Sequence, residues 1–140
     1  MTDPYVNLIA EYTSDAKKAD GKYKDGALKA MTAAAVRVLG GRDGAGFQTK
    51  NKGPGFAFRL KVEEITLDQK TTKCVVSGAI AGFPKAFMVS IGPNPTATAT
   101  VQGGGDRAIA DCIDAASDDL VSRKLIPGAR ARYKAHGTDP

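Results

Sequence analysis

Phe56-Ala57-Phe58-Arg59-Leu60-Lys61-Val62-Glu63-Glu64-Ile65-Thr66-Leu67 alternates apolar and polar side chains and then changes phase. Phe56, Phe58, Leu60 and Val62 share one side of an extended chain, with Ala57, Arg59 and Lys61 on the other. After Glu63-Glu64 the apolar set continues on odd numbers, at Ile65 and Leu67. One extra residue restores the original facing, so a β-bulge is predicted at Glu63-Glu64.

Working outward, Asp68-Gln69-Lys70 reads as a turn into a second strand, in which Cys74, Val76, Gly78 and Ile80 share a face. Gly82-Phe83-Pro84-Lys85 turns again, and Phe87, Val89 and Ile91 mark a third strand. Gly92-Pro93-Asn94-Pro95 breaks it, before Thr96-Ala97-Thr98-Ala99-Thr100-Val101 alternates strictly as a half-exposed fourth strand. Gly103-Gly104-Gly105 leads to a helix with Asp106 as its expected N-cap, and Ile109, Cys112, Ile113, Ala116 and Leu120 form its apolar stripe.

Toward the N-terminus, Ala27, Leu28, Met31, Ala34, Ala35 and Val38 repeat at three and four residues and predict a helix ended by Gly40-Gly41. A polar, Gly-rich loop is expected from Arg42 to Gly55. Before the turn-rich link Asp20–Gly26, Asp3 as N-cap, Pro4, and a stripe of Tyr5, Leu8, Ile9 and Tyr12 predict a first helix running to about residue 19. The expected fold is therefore α+β: two N-terminal helices, a four-stranded antiparallel meander, and a C-terminal helix packed on the sheet. Ile126-Pro127-Gly128 is expected to interrupt that helix. The organisation predicted is one α+β domain over 1–128 and a basic C-terminal extension over 129–140.

The 140 residues are enough for one core, and 42% hydrophobic with 25% charged residues is the balance of a folded globular chain. The net charge of +5 lies at one end: Arg123, Lys124, Arg130, Arg132 and Lys134 fall in a stretch, 120–138, that contains no acid. No apolar run is long enough to span a bilayer. Met1-Thr2-Asp3-Pro4 has neither the basic nor the apolar region of a secretory signal, so the literal reading is cytoplasmic. A periplasmic or secreted address follows instead if Cys74 and Cys112 are bonded and the chain is a trimmed mature form.

Cys74 and Cys112 each fall on the apolar face of a predicted element, which leaves open a strand-to-helix disulfide or two buried thiols. A bond would close a loop of about 38 residues and stabilise by about 3 to 4 kcal/mol. Metal binding is disfavoured because His136, the sole histidine, lies in the tail and no Cys-x-x-Cys occurs. Gly103-Gly104-Gly105-Asp106 has the outline of an anion-binding turn, but no Lys-Ser/Thr follows it and Asp106 would repel an anion. Asp111, Asp114, Asp118 and Asp119 read as a solvated helix face, with Asp119 and Arg123 spaced as an i, i+4 ion pair.

The strand-strand-strand-helix portion, about half of the chain, with its Gly-rich entry and Ala108-Ile109-Ala110 to Ala115-Ala116, resembles a double-stranded-RNA-binding domain. That family begins its last helix with Lys-Lys-x-x-Lys, whereas this chain has Asp106-Arg107-Ala108-Ile109-Ala110-Asp111, without the phosphate-gripping lysines, and the family is not assigned. No nucleophile has an evident activating partner, so the chain reads as non-enzymatic, with no cofactor and no metal implied. The expected function is a structural or protein–protein interaction module, with protein partners or self-association, as in a homo-oligomer or larger assembly. The alternative is nucleic-acid or polyanion binding through Arg123, Lys124, Arg130, Arg132, Tyr133 and Lys134.

Overall fold

A computed structural model describes residues 5–47, 55–83 and 94–136. Its order is β1 (Tyr5–Tyr12), α1 (Lys24–Leu39), β2 (Gly55–Leu67), β3 (Thr71–Phe83), β4 (Thr96–Gln102), α2 (Asp106–Leu120), a π-helical turn (Val121–Leu125) and α3 (Ile126–His136). The four strands form one sheet in the order β1-β2-β3-β4. β2, β3 and β4 pair antiparallel, while β1 pairs parallel to β2, with Val6 opposite Phe56 and Tyr12 opposite Val62. The sheet is thus mixed, and β1-α1-β2 is a crossover unit.

The predicted slip in β2 is present: the β2–β3 register shifts between Val62 and Glu64, after which Ile65 lies opposite Cys74. The bulge lets Val62 and Ile65 both turn inward, and both are buried. Across the same face come Thr72, Cys74, Val76 and Ile80 of β3 and Ala97 of β4, all buried. The predicted third strand at Phe87, Val89 and Ile91 lies outside the described residues, and β3 pairs directly with β4.

The first predicted helix is instead β1. Its inward residues are Val6, Leu8, Ala10 and Tyr12, an alternation that coexists in the sequence with the helical spacing Tyr5, Leu8, Ile9, Tyr12. Eight residues contain too few periods to separate the two readings. The free edge of β2 decides the matter, because pairing there gives the backbone a hydrogen-bond ladder and places Val6 in the core.

Both helical layers cover one face of the sheet. α1 buries Ala27, Met31, Ala34, Ala35, Val38 and Leu39, close to the predicted stripe, and packs on α2 and β1. α2 buries Ala108, Ile109, Cys112, Ile113, Ala116, Ser117 and Leu120 over β3 and β4. Gly78 provides room for this rod, because a Cβ there would sit 2.8 Å from Leu125 Cδ1 and 3.2 Å from Leu120 Cδ2.

The expected stop at Ile126-Pro127-Gly128 does not occur. The Ile126 N–H donates to Val121 O, five residues back, and the helix passes through a π turn into α3. That widened turn accommodates Pro127, whose ring would collide with the preceding turn of a regular helix. Gly128 is a packing residue here, since a Cβ at this position would come 3.1 Å from Ile80 Cδ1. Ile126 and Ala129 are buried, so the start of the basic stretch is seated in the core.

The N-cap of α2 is also corrected. Gly105, not Asp106, occupies that position, at φ 98° and ψ −177°, and no side chain caps it. That backbone region belongs to glycine. Gly105→Ala is expected to cost about 1–3 kcal/mol, read as a lower urea midpoint with an unchanged slope; an unchanged midpoint would show that the turn relaxes freely.

Candidate functional site

Cys74, inward on β3 between Ile65 and Ala99, and Cys112, inward on α2, are bonded to each other with a Cα–Cα separation of 6.1 Å. Both are fully buried. Bonded and enclosed, the sulfurs present no thiolate for nucleophilic or metal chemistry, and they fasten α2 to the sheet.

The triple-glycine joint is likewise tied into the fold. Gly103 is at φ 93°, its N–H donates to Lys70 O at 2.7 Å, and its carbonyl accepts from Thr72 Oγ1 at 2.8 Å. These bonds join the β4–α2 connection to the β2–β3 turn.

The acidic face of α2 is divided between two partners. Arg37, on α1, donates from Nη1 and Nη2 to Asp114 at 2.8 and 3.0 Å, and from Nη2 to Asp118 at 3.1 Å. Hydrogen bonding to Asp114, then to Asp118, raises the already high pKa of Arg37. Arg37 is 53% exposed, so this fork orients the helices while contributing at most about 1 kcal/mol. The expected Asp119–Arg123 pair is present at 3.4 Å. Arg37 is the residue that sequence reasoning missed, because its partners lie 77 and 81 residues away.

The basic C-terminal residues are largely committed to internal contacts. Lys124 Nζ donates to Thr96 O at the beginning of β4. Arg130 donates to Asp43 O at 3.0 Å and Ala45 O at 2.8 Å, and its guanidinium lies 5.7 Å from the centre of the Phe47 ring. Tyr133 packs edge-to-face on Phe56 at 6.2 Å, and Phe47 meets Phe56 similarly at 6.4 Å. Arg132 is half-buried, and Lys134 is exposed. Tyr133 therefore serves the core on α3, rather than standing free to stack on a base.

The sheet face opposite the helices carries a shallow cleft of about 240 Å³, bordered by Glu11, Arg59, Lys61, Glu63, Ser77 and Asn94. Arg59 meets Glu11 at 3.2 Å, Lys61 meets Glu63 at 3.5 Å, and Ser77 Oγ donates to Glu63 Oε1 at 3.2 Å. At one end of this face Ala57, Ala79 and Ala81 are buried, whereas at the other Thr96, Thr98, Thr100 and Lys73 are exposed. A second cleft, about 220 Å³, separates the starts of α1 and α2 and is bordered by Lys22, Tyr23, Gly26, Ala27, Asp106, Ile109 and Ala110. The hydroxyl of nearby Tyr12 donates to Asp20 O at 2.6 Å, and burial, reinforced by Asp20, raises its pKa.

Among the described residues, no three His, Cys, Asp or Glu side chains are grouped as a metal site would require, and no helix is long and apolar enough to cross a membrane.

These features define a two-layer α+β domain, with a mixed four-stranded sheet strapped to its helices by one disulfide. No protein-family model and no curated protein matches the chain. Among solved structures it is similar to a protein of the DUF330 family from Xanthomonas campestris, at TM-score 0.56 and 11% identity over 94% of this chain and 88% of that one. Looser likenesses are a candidate lipoprotein from Caulobacter crescentus (TM-score 0.49, 14% identity, 96% and 93% covered) and a PelC dodecamer from Paraburkholderia phytofirmans (0.39, 14%, 87% and 90%). The Xanthomonas likeness extends to the fold alone.

Proposed function

We propose that this chain is a non-enzymatic protein–protein interaction module, a subunit of a homo-oligomer or larger assembly, acting in an oxidising compartment such as the periplasm or the cell exterior. The observation that carries the assembly reading is the β4 edge of the sheet, Thr96–Gln102, which no other described strand covers, which Lys124 touches at Thr96 O, and whose own residues include no charge, proline or bulge of the kind that isolates an edge strand. The charged side chains support the non-enzymatic reading, because Arg37, Arg59, Glu63 and Arg130 are engaged in contacts between elements of the fold. The disulfide supports the compartment, since such bonds persist where thiols are not kept reduced.

Sedimentation velocity across the micromolar range tests assembly: self-association, or a complex in native extracts, is expected, and a strict monomer without a partner at high micromolar concentration would overturn it. Alkylation of freshly isolated native protein, followed by intact mass, tests the compartment. No label before reduction and two labels after it are expected. Two labels without reductant would place the chain among reduced proteins.

A further inference from the structure

We propose that β4 is a self-pairing edge: two copies of this chain join β4 to β4, antiparallel, about a two-fold axis through Thr98. This inference rests on the assembly reading and specifies its surface. Gly78 N–H donates to Pro95 O at 3.0 Å, so Gly78 and Pro95 are a hydrogen-bonded pair of the β3–β4 ladder. Alternation along the register makes Ser77–Thr96, Val75–Thr98 and Lys73–Thr100 the pairs without mutual hydrogen bonds. In such pairs the amide and carbonyl point away from the neighbouring strand. Those of Thr96, Thr98 and Thr100 therefore point out of the sheet, and Lys124 reaches Thr96 O from that side.

The identity of the partner follows from the sequence of the edge. Thr96-Ala97-Thr98-Ala99-Thr100 reads the same in both directions. An antiparallel second copy sets Thr98 against Thr98, Thr96 against Thr100 and Ala97 against Ala99. The Thr98 pair then exchanges both backbone hydrogen bonds, the Thr96–Thr100 pairs do so once Lys124 withdraws from Thr96 O, and the Thr side chains meet on the exposed face as favourable cross-strand neighbours. Because Thr96–Gln102 itself is uncharged, the paired strands set no like charges directly opposite each other. The opposite edge, β1, lacks this symmetry and carries Glu11. The arrangement is isologous and closes on itself, yielding a dimer with one continuous sheet.

Thr98→Cys tests the axis directly. A hydrogen-bonded antiparallel pair has its Cα atoms about 5.5 Å apart and its Cβ atoms at the far end of the ~4.5–5.5 Å cross-strand range, beyond the ~3.5–4.5 Å that a disulfide needs, so a short bis-maleimide is the linker that joins two thiols on the axis. Cys74 and Cys112 are already bonded and buried, so the new thiol is the reactive one. With a short bis-maleimide Thr98→Cys is expected to give a covalent dimer, while Thr66→Cys, exposed on β2, gives none. Thr98→Lys, at an exposed position, is expected to keep the circular dichroism and, at concentrations where both proteins are monomeric, the urea midpoint, while weakening dimerisation about 10- to 100-fold through like charges on the axis. An oligomer that survives Thr98→Lys, with no cross-link at position 98, would overturn β4 self-pairing and leave the broader assembly reading standing. A wild-type protein that is strictly monomeric and partnerless would overturn both.

Discussion

Breaking the Cys74–Cys112 bond is expected to destabilise the domain by about 3 to 4 kcal/mol. The bond spans 38 residues, from β3 through β4 to α2, and in the chain-entropy account it acts by restricting the unfolded chain. A domain of this size has a total stability of about 5 to 15 kcal/mol, so the loss is a large fraction of the whole. Equilibrium urea unfolding with and without reductant measures it, and a Cys74→Ala, Cys112→Ala variant should agree with the reduced protein to within the added loss of sulfur packing. Both sulfurs are enclosed between β3 and α2, so reductant has to wait for opening of the native state. Reduction is therefore expected to be slow in buffer and to accelerate steeply as urea approaches the midpoint. Rapid reduction of the folded protein, with no change in midpoint, would show that the α2–β3 contact holds without the bond.

Phe56→Ala is expected to cost about 3 to 5 kcal/mol, the range for deleting a buried aromatic side chain. Phe56 is fully buried and lies under two edge-to-face neighbours, Phe47 and Tyr133. Its removal empties the site where β2, the segment after α1, and α3 converge. Arg130 strengthens the same junction through its bonds to Asp43 and Ala45. The variant should thus lower the urea midpoint and also speed tryptic cleavage at Arg130, Arg132 and Lys134, as α3 loses its anchor. Val36→Ala, at a 49% exposed position on α1, is the matched control and should change stability by less than about 0.5 kcal/mol. A Phe56→Ala effect below about 1 kcal/mol would detach α3 from the core.

Much of the site was legible at the level of single elements. The inward facing of Cys74 and Cys112 could be read from two stripes, and the Asp119–Arg123 pair from helical spacing. Asp114 and Asp118 were legible as an exposed helix face but not as ligands of Arg37, because nothing local announces that α1 and α2 are neighbours. The tail is hard to read from sequence for a related reason. Arg130 and Tyr133 resemble solvated, basic-tail residues until Phe47 and Phe56 are brought beneath them. Pro127-Gly128 looked like a terminator because a π turn at Val121–Leu125 leaves no simple mark in composition.

The sequence by itself determined what depends on neighbours along the chain: the alternation of β2, β3 and β4, the bulge after Val62, and the buried stripes of α1 and α2. Tertiary structure decided what depends on competition between distant partners. Tyr5–Tyr12 satisfies both a helical and an extended spacing, and it becomes a parallel strand because β2 offers an unpaired edge. Periodicity specifies which side of an element is apolar. Only the packed arrangement specifies what that side meets, since hydrogen-bond ladders and buried contacts are shared between segments that no local pattern connects.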